Sequence, residues 1–130
     1  MIQTILSWFQ STPVASNPPP IERKTYHPSR TDKLYIIVDQ RLRPGAKMAQ
    51  ACHAMRAFAD QHPEIEKAWF ANSNNIVILQ VEDLNDLADF LDSEGYAVAR
   101  FHEPDFDNRL TALAVEPNAW RQLSHIRLAA

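Results

Sequence analysis

The sequence predicts an α/β protein, a three-layer sandwich in which helices cover both faces of a four-stranded mixed sheet. Short apolar runs rich in β-branched residues recur along the chain, and amphipathic helical patterns separate the first three of them. The last two runs follow each other without a helix between them. Because strand–helix–strand connections cross over right-handedly, the two long helices can cover opposite faces of the sheet. How the last two strands are joined stays open at this stage.

The composition fits one folded domain without a membrane span. The chain has 130 residues, of which 45% are hydrophobic and 22% charged, and its net charge is −3. A polyanionic partner would therefore have to be held by a local basic patch. The single cysteine, Cys52, excludes an internal disulfide, and its alanine-rich surroundings predict a buried structural thiol. Since the chain shows neither a membrane helix nor a signal peptide, we expect a cytoplasmic protein.

Residues 1–32 are predicted to be a short amphipathic segment followed by a proline-rich tether. Four apolar residues follow the i, i+3, i+4, i+7 spacing of one helix face: Ile2, Ile5, Leu6 and Phe9. The segment has no Lys or Arg, so docking on its own domain, on a second copy or on a protein partner is favoured over a membrane surface. Five prolines between residues 11 and 32 predict an extended linker.

The folded domain is predicted to span residues 33–130. Its strands are expected at Leu34–Val38, Ile76–Val81, Tyr96–Phe101 and Leu110–Val115. The first of these is a continuous apolar run, as in a strand that is buried on both faces. A polar, proline-containing loop from His102 to Arg109 is expected to join the last two strands.

The helices are marked by their ends as much as by their apolar faces. The first helix is predicted from Gly45 to Gln61, because a proline follows its end. The second begins after Asp83, a good N-cap residue, and ends before Gly95, a good C-cap. Glu64–Ala71 is either a short helix or an irregular cover, and Trp120–Leu128 is a closing helix or turn.

Two polar segments are predicted to form a site. The first carries Asp39, Gln40, Arg41, Arg43, Lys47, Gln50 and His53, and the second carries His102, Glu103, Asp105, Asp107, Asn108, Arg109 and Thr111. The first segment leaves the carboxyl end of a strand and enters a helix, where backbone N–H groups and the helix dipole attract anions. Because the dipole disfavours a lysine on a first turn, Lys47 is as well explained by a function as by an exposed surface position.

The residue types favour cofactor-free chemistry. The acidic segment lacks the glycine pivot and terminal glutamate of a calcium loop, so no metal site is predicted. Cys52 and His53 are adjacent on a helix and do not face each other, so a cysteine hydrolase is not supported. A lysine, a carboxylate and a hydroxyl or amide group remain. Such a set can position water and stabilise an oxyanion by proton transfer and fixed positive charge.

Several motifs resemble the type II peptidyl-tRNA hydrolases of archaea and eukaryotes and their bacterial relatives. The motifs are Leu34-Tyr-Ile-Ile-Val38, Arg41 with Gly45, Lys47-Met-Ala-Gln50, Cys52-His-Ala54 and Leu110-Thr-Ala-Leu-Ala-Val115. The resemblance covers about Lys33 to Pro117. It implies a mixed four-stranded sheet with helices on both faces, a homodimer, and cleavage of the ester between a peptide and the tRNA 3′ end without a metal or other cofactor.

The resemblance also implies roles for individual residues. Lys47 is similar to a lysine that engages the substrate near the scissile ester, and Glu103 stands where the family has an aspartate that orients water or acts as a base. Asn108 or Thr111 is expected to supply a further polar group. The substrate is expected to be bound by Arg41, Arg43, Gln50, His53 and Arg100.

Two features differ from the family pattern. Lys47 lies one position closer to Gln50, and the segment after Glu103 is shorter and more acidic. A non-catalytic, homodimeric interaction module on the same fold is therefore the alternative hypothesis, and a nucleotide or metal binder is the remaining one.

Overall fold

The computed structural model describes residues 18–130. The predicted amphipathic segment and the first part of the tether lie outside the described residues. The strands and helices, in chain order, are β1 (Lys33–Asp39), α1 (Pro44–Gln61), α2 (Pro63–Asn72), β2 (Asn75–Val81), α3 (Leu84–Ser93), β3 (Val98–Glu103), β4 (Arg109–Val115) and α4 (Trp120–Leu123). Short 3₁₀ turns occupy Pro104–Phe106 and Pro117–Ala119.

The sheet has the order β2-β1-β4-β3. β1 pairs parallel with β2, while β4 pairs antiparallel with both β1 and β3. This arrangement confirms the predicted α/β class with a four-stranded mixed sheet, and it settles the connection that the sequence left open, because the last two strands form an antiparallel pair.

The two faces of the sheet carry separate cores. Leu34, Ile36 and Val38 of β1 face the core shared with α1 and α2, whereas Ile37 faces the core shared with α3. The alternation explains why the β1 sequence is apolar throughout, since both of its faces are buried. Helices on both faces give the three layers that the sequence predicts.

Small side chains bring α1 close to the sheet. Ala51 and Ala54 of α1 are buried against Ala112 and Ala114 of β4, and Phe58 fills the space further along the helix. Alanine on alanine permits a short distance between helix and strand. The close approach places the polar residues at the beginning of α1 directly over the sheet.

β3 begins two residues later than the sequence predicts. Gly95 has φ +88° and closes α3, and the backbone N–H of Tyr96 donates to the carbonyl of Leu91 at 3.1 Å. Together with the hydrogen bond from the N–H of Gly95 to the carbonyl of Asp92, this bond closes a Schellman cap. Tyr96 therefore belongs to the helix end, and the strand starts at Val98. At its other end β3 continues through His102 to Glu103, residues that the sequence places in a loop.

The chain near its last residues covers the outer edge of β2. Only Trp120–Leu123 of the predicted closing segment is helical. Beyond it, Leu128 forms an antiparallel bridge with Leu79, and the N–H of Ala129 donates to the carbonyl of Ile78 at 2.9 Å. From Ile78 to Gln80, the edge of β2 therefore no longer offers its backbone groups to another chain.

Part of the predicted tether contacts the domain. The guanidinium of Arg23 donates to Asp92 at 2.9 Å, and the N–H of Lys24 donates to the carbonyl of Gly95 at 3.2 Å. Tyr26 packs against the core beneath α1. Across residues 18–130, none of the helices combines the length and the hydropathy needed to cross a bilayer.

Candidate active site

The segment after β1 begins with a buried carboxylate. Asp39 is buried at the end of β1 and accepts hydrogen bonds from the Arg41 side chain at 3.0 Å and 2.8 Å. Burial alone would raise the pKa of Asp39, but the hydrogen bonds and charge of Arg41 lower it below its usual value. Arg109 adds a second positive charge 3.9 Å from the same carboxylate. Arg41 is therefore held in place at the carboxyl end of β1.

α1 begins without a side-chain cap. Arg43 is the N-cap residue but makes no side-chain cap hydrogen bond, Pro44 follows it, and the first turn holds no acidic residue. The exposed guanidinium of Arg43 thus lies beside the positive end of the helix dipole. Both contributions make this end of the helix positive.

Lys47 is buried and points towards β2. Its side chain is 8% exposed, and its ammonium donates to Oε1 of Gln80 at 2.7 Å and to the backbone oxygen of Ala130 at 2.9 Å. No Asp or Glu side chain among residues 18–130 forms an ion pair with Lys47.

Gln50 joins a carboxylate to a hydroxyl group beneath α1. Its amide nitrogen donates to Oε2 of Glu103 at 2.8 Å, and its amide oxygen accepts from the hydroxyl of Thr111 at 2.5 Å. All three side chains are buried. We refer to these residues as the Gln50 cluster; each of them comes from a different element, namely α1, β3 and β4.

Glu103 is held as a carboxylate. The hydrogen bond from Gln50 lowers the pKa of Glu103 below its usual value, and the N–H of Asp105, which donates at 3.1 Å, lowers it further. The positive charge that His53 can carry acts in the same direction. Glu103 is thus ionised and fixed in orientation at neutral pH.

A β-bulge aims Thr111 at Gln50. Phe101 pairs with Ala112, but the next residue of β3, His102, pairs with Leu110. Thr111 is therefore the extra residue of β4, and the bulge turns its side chain to the face that carries α1. Without the bulge, strand alternation would place neighbouring residues on opposite faces.

His53 and Phe101 form the rim of the Gln50 cluster. Their rings are stacked with centroids 4.5 Å apart, and His53 is exposed. A flat, partly exposed pair of rings next to a fixed carboxylate is suited to hold a planar ligand group.

The mixed sheet and the carboxylate of Glu103 that faces Gln50 on α1 occur in a chain that matches a known family. The family model described as Peptidyl-tRNA hydrolase PTH2 matches residues 32–127. The chain belongs to this family. The comparison with curated proteins returned no match. The family assignment confirms the resemblance seen in the sequence, and it spans both polar segments of this family member's candidate site.

The structure brings some of the predicted site residues together and separates others. Gln50, Glu103 and Thr111 form one cluster and His53 adjoins it, whereas Lys47 contacts none of them. Lys47 is bound to β2 and Glu103 lies on β3, the two edges of the sheet. Three strand spacings separate these edges, about 14 Å. A substrate would have to span this distance to meet both groups.

Two further predicted residues lie outside the Gln50 cluster. Arg100 donates to Asp89 of α3 at 3.2 Å, so it lies on the opposite face of the sheet. Asn108 is exposed in the turn between β3 and β4, where it and Asp107 both have positive φ. Consecutive residues in this conformation fit a tight hairpin turn.

Gln80 and Phe101 are site residues that the sequence reasoning missed. Gln80 follows Ile76 and Ile78 at alternate positions of β2. A polar residue at the end of an alternating apolar series indicates a side chain that forms a hydrogen bond within the fold. The contact of Ala130 with Lys47 had no such signal, since it depends on how the end of the described chain folds back.

The structure also shows the environment of the cysteine and of the possible metal ligands. Cys52 is exposed, so the predicted buried thiol is wrong; the side of α1 that carries Cys52 faces a surface groove instead of the sheet. Within residues 18–130, no three His, Cys, Asp or Glu side chains are grouped in a way that could hold a metal ion.

Proposed function

We propose that the chain is an esterase that hydrolyses the ester between a peptide and the 3′ end of tRNA, with Glu103 as its central residue. The observation that carries this proposal is the buried, ionised Glu103, which is fixed by Gln50 while Gln50 is fixed by Thr111. The family assignment supports the choice of substrate. No cofactor is required.

The carboxylate of Glu103 is assigned to orient the attacking water. The water oxygen forms a bond to the ester carbonyl carbon, the bond between that carbon and the 3′ oxygen breaks, and the proton lost by the water is passed through Glu103 to the leaving oxygen. A peptide carboxylate and a free 3′ hydroxyl result. Because a lowered pKa weakens Glu103 as a base, its main contribution is orientation. Thr111 acts through Gln50 and is a positioning residue.

The beginning of α1 is assigned to the tRNA end. Arg41 and Arg43 are exposed there, and Lys47 lies one turn further along the helix. Phosphate groups bind where such charges meet a helix amino terminus. His53, stacked on Phe101, provides a surface for a base further along the helix. Asn108 is assigned to contact the substrate from the adjoining turn.

Peptidyl-tRNA hydrolysis by purified wild-type protein and by Glu103→Gln tests the proposal. Gln keeps the size of the side chain but cannot act as a carboxylate, so we expect the rate to fall by about 10²- to 10⁴-fold. Glu64→Gln, on the exposed surface of α2, is the matched control and should keep wild-type turnover. Absence of turnover by wild-type protein would overturn the proposal and leave a non-catalytic module as the better description.

Assembly and location complete the proposal. The family resemblance leads us to propose a homodimer in the cytoplasm, where peptidyl-tRNA is present. Light scattering on the purified protein would give the molar mass, and a monomer at micromolar concentration would contradict the dimer without affecting the proposed chemistry.

A further inference from the structure

An apolar groove runs between α1 and β2 and continues onto α2. We define it by Met48, Cys52, Met55, Phe70, Ile76 and Ile78. We propose that this groove is the docking site of the chain's own first ten residues. The proposal concerns a surface separate from the Gln50 cluster and does not depend on the proposed esterase activity.

The groove is continuous and unusually apolar. One cavity of about 300 Å³ lies between α1 and β2, and another of about 290 Å³ lies between α1, α2 and the start of β2. Both are lined by Met55 and Ile76, so they form one depression. Met48 is 65% exposed and Phe70 is 61% exposed. Large apolar side chains that are exposed along one depression mark a surface with a partner.

The charges around the groove are few and lie at its end. Arg56 and Glu66 border the part next to α2, and no charged residue lines the part between Met48 and Ile76. A charged or strongly polar partner would lose its hydration there without gaining an ion pair. The groove therefore favours an uncharged, apolar occupant.

The first ten residues have the matching chemistry. Residues 1–21 contain no Asp, Glu, Lys, Arg or His, and the apolar stripe of Ile2, Ile5, Leu6 and Phe9 occupies one side of the predicted helix. A helix of ten residues is about 15 Å long and is not stable alone in water. It needs an apolar surface to form, and the seven residues of β2 give a groove edge of about 23 Å.

The tether is long enough to place this segment on its own domain. Arg23 and Lys24 are fixed at the end of α3 by Asp92 and Gly95. The eleven residues from 11 to 21 span about 34 Å if they are as extended as a polyproline chain. A domain of this size has a radius of gyration of about 13 Å, so the tether can reach around it. Docking within one chain also gains from a high effective concentration.

Cys52 provides a reporter inside the groove, because it is exposed and is the chain's single cysteine. A docked segment would cover its thiol. We expect Leu6→Asp, which puts a charge on the apolar stripe, to increase the rate of thiol labelling in the full chain by about tenfold. Ser7→Asp adds the same charge to the opposite side of the predicted helix and should label at the wild-type rate.

The groove side is tested with a second matched pair. Phe70→Glu changes an exposed residue of the groove, whereas Phe90→Glu changes a residue of α3 that is 48% exposed on the other side of the domain. We expect faster labelling of Cys52 in Phe70→Glu only. Both residues are exposed, so neither change should prevent folding, and circular dichroism checks that it does not.

Three results would overturn the proposal. Equal labelling rates in wild type and Leu6→Asp would show that the segment does not cover the groove. Faster labelling in both Leu6→Asp and Ser7→Asp would show a general effect of charge. Protection that increases with protein concentration, together with a dimer mass that is lost in Leu6→Asp, would assign the groove to a second copy rather than to the same chain.

Discussion

At the scale of single residues, the orientation of one amide decides what the candidate site can do. Gln50 has one donor group and one acceptor group, and the structure uses the acceptor for Thr111 and the donor for Glu103. If the amide were reversed, its oxygen would face the carboxylate and its nitrogen would face the threonine. Because the ionised carboxylate of Glu103 can only accept hydrogen bonds, it selects the orientation in which the amide nitrogen faces it, and the hydroxyl of Thr111 then donates to the amide oxygen.

Thr111→Val should therefore lower the stability of the protein and also change the pKa of Glu103. The substitution keeps the shape of the side chain but leaves the amide oxygen of Gln50 buried without this donor, which costs about 1–3 kcal/mol. We expect a lower urea midpoint. We also expect a raised pKa for Glu103, because Gln50 loses the hydrogen bond to its oxygen and is held less firmly against the carboxylate. Thr111→Ser keeps the hydroxyl and is the control. If valine and serine gave the same carboxylate titration by NMR, the hydroxyl of Thr111 would not be holding Gln50 against Glu103.

At the scale of elements, the end of α3 determines where β3 begins and where the tether is fixed. Gly95 has φ +88°, and a Cβ atom added to it would lie 2.5 Å from the backbone oxygen of Glu22. The conformation and the close approach both require glycine here. The same turn gives its carbonyl to the N–H of Lys24, so one residue ends a helix and holds the segment that leads to residue 1.

Gly95→Ala should lower stability by about 1–3 kcal/mol, because alanine is strained at positive φ and its Cβ would displace Glu22. We also expect faster amide exchange at Lys24, whose N–H donates to Gly95. Gly45→Ala is the matched control: nothing lies within 4 Å of an added Cβ there, and alanine favours a helix. Unchanged exchange at Lys24 in Gly95→Ala would mean that the tether is held by other contacts.

The elements themselves were largely predictable from local patterns, and their exceptions have local causes. The apolar runs at β1 and β2 and the capping residues Asp83 and Gly95 indicate the observed elements. The alternation of side chains predicts Tyr96 in a strand, but the helix cap uses its backbone N–H. The β-bulge at Thr111 could not be predicted from the sequence, because it depends on the register between β3 and β4 and not on a local pattern in either strand.

At the scale of the whole molecule, the sequence predicts only those contacts of the site that are made between neighbouring elements of the sheet and its helices. Gln50 on α1 and Thr111 on β4 meet because the helix crosses the sheet next to that strand. The sequence predicts Lys47 in the same group, but it lies one turn before Gln50 on the helix and is bound at β2 by Gln80 and Ala130. Such a partner from the far end of the chain cannot be inferred from spacing along one helix.

The buried carboxylates give the molecule two opposing dependences on pH. The pKa values of Asp39 and Glu103 are lowered in the folded state, by the hydrogen bonds of Arg41 and Gln50 respectively. They therefore contribute stability above about pH 4 that is lost as the pH falls through their folded pKa values. Glu116 behaves in the opposite way, because burial raises its pKa. The backbone N–H of Ala97 donates to Oε2 of Glu116 at 2.6 Å, and this hydrogen bond involves only one of the two carboxylate oxygens.

In Glu116→Gln, the free energy of unfolding should decline less than in the wild type as the pH rises from acidic to neutral. The folded protein binds a proton at Glu116 more tightly than the unfolded chain does, so the stability of the wild type falls as the pH rises above about 4.3, the ordinary pKa of glutamate. Gln keeps an oxygen to accept from Ala97 and carries no charge. We expect the melting temperature of the variant to gain on that of the wild type as the pH rises from about 4 to about 8.

The exposed Glu94→Gln variant separates this effect from a general change in net charge. Both variants remove one negative charge, but only Glu116 combines 1% exposure with a carboxylate oxygen, Oε1, that has no hydrogen-bond partner among the described residues. An unpaired, buried oxygen makes the ionised form costly, and protonation or replacement by Gln removes that cost. A difference between Glu116→Gln and wild type that is the same at every pH, or that Glu94→Gln reproduces, would show that Glu116 does not titrate with folding.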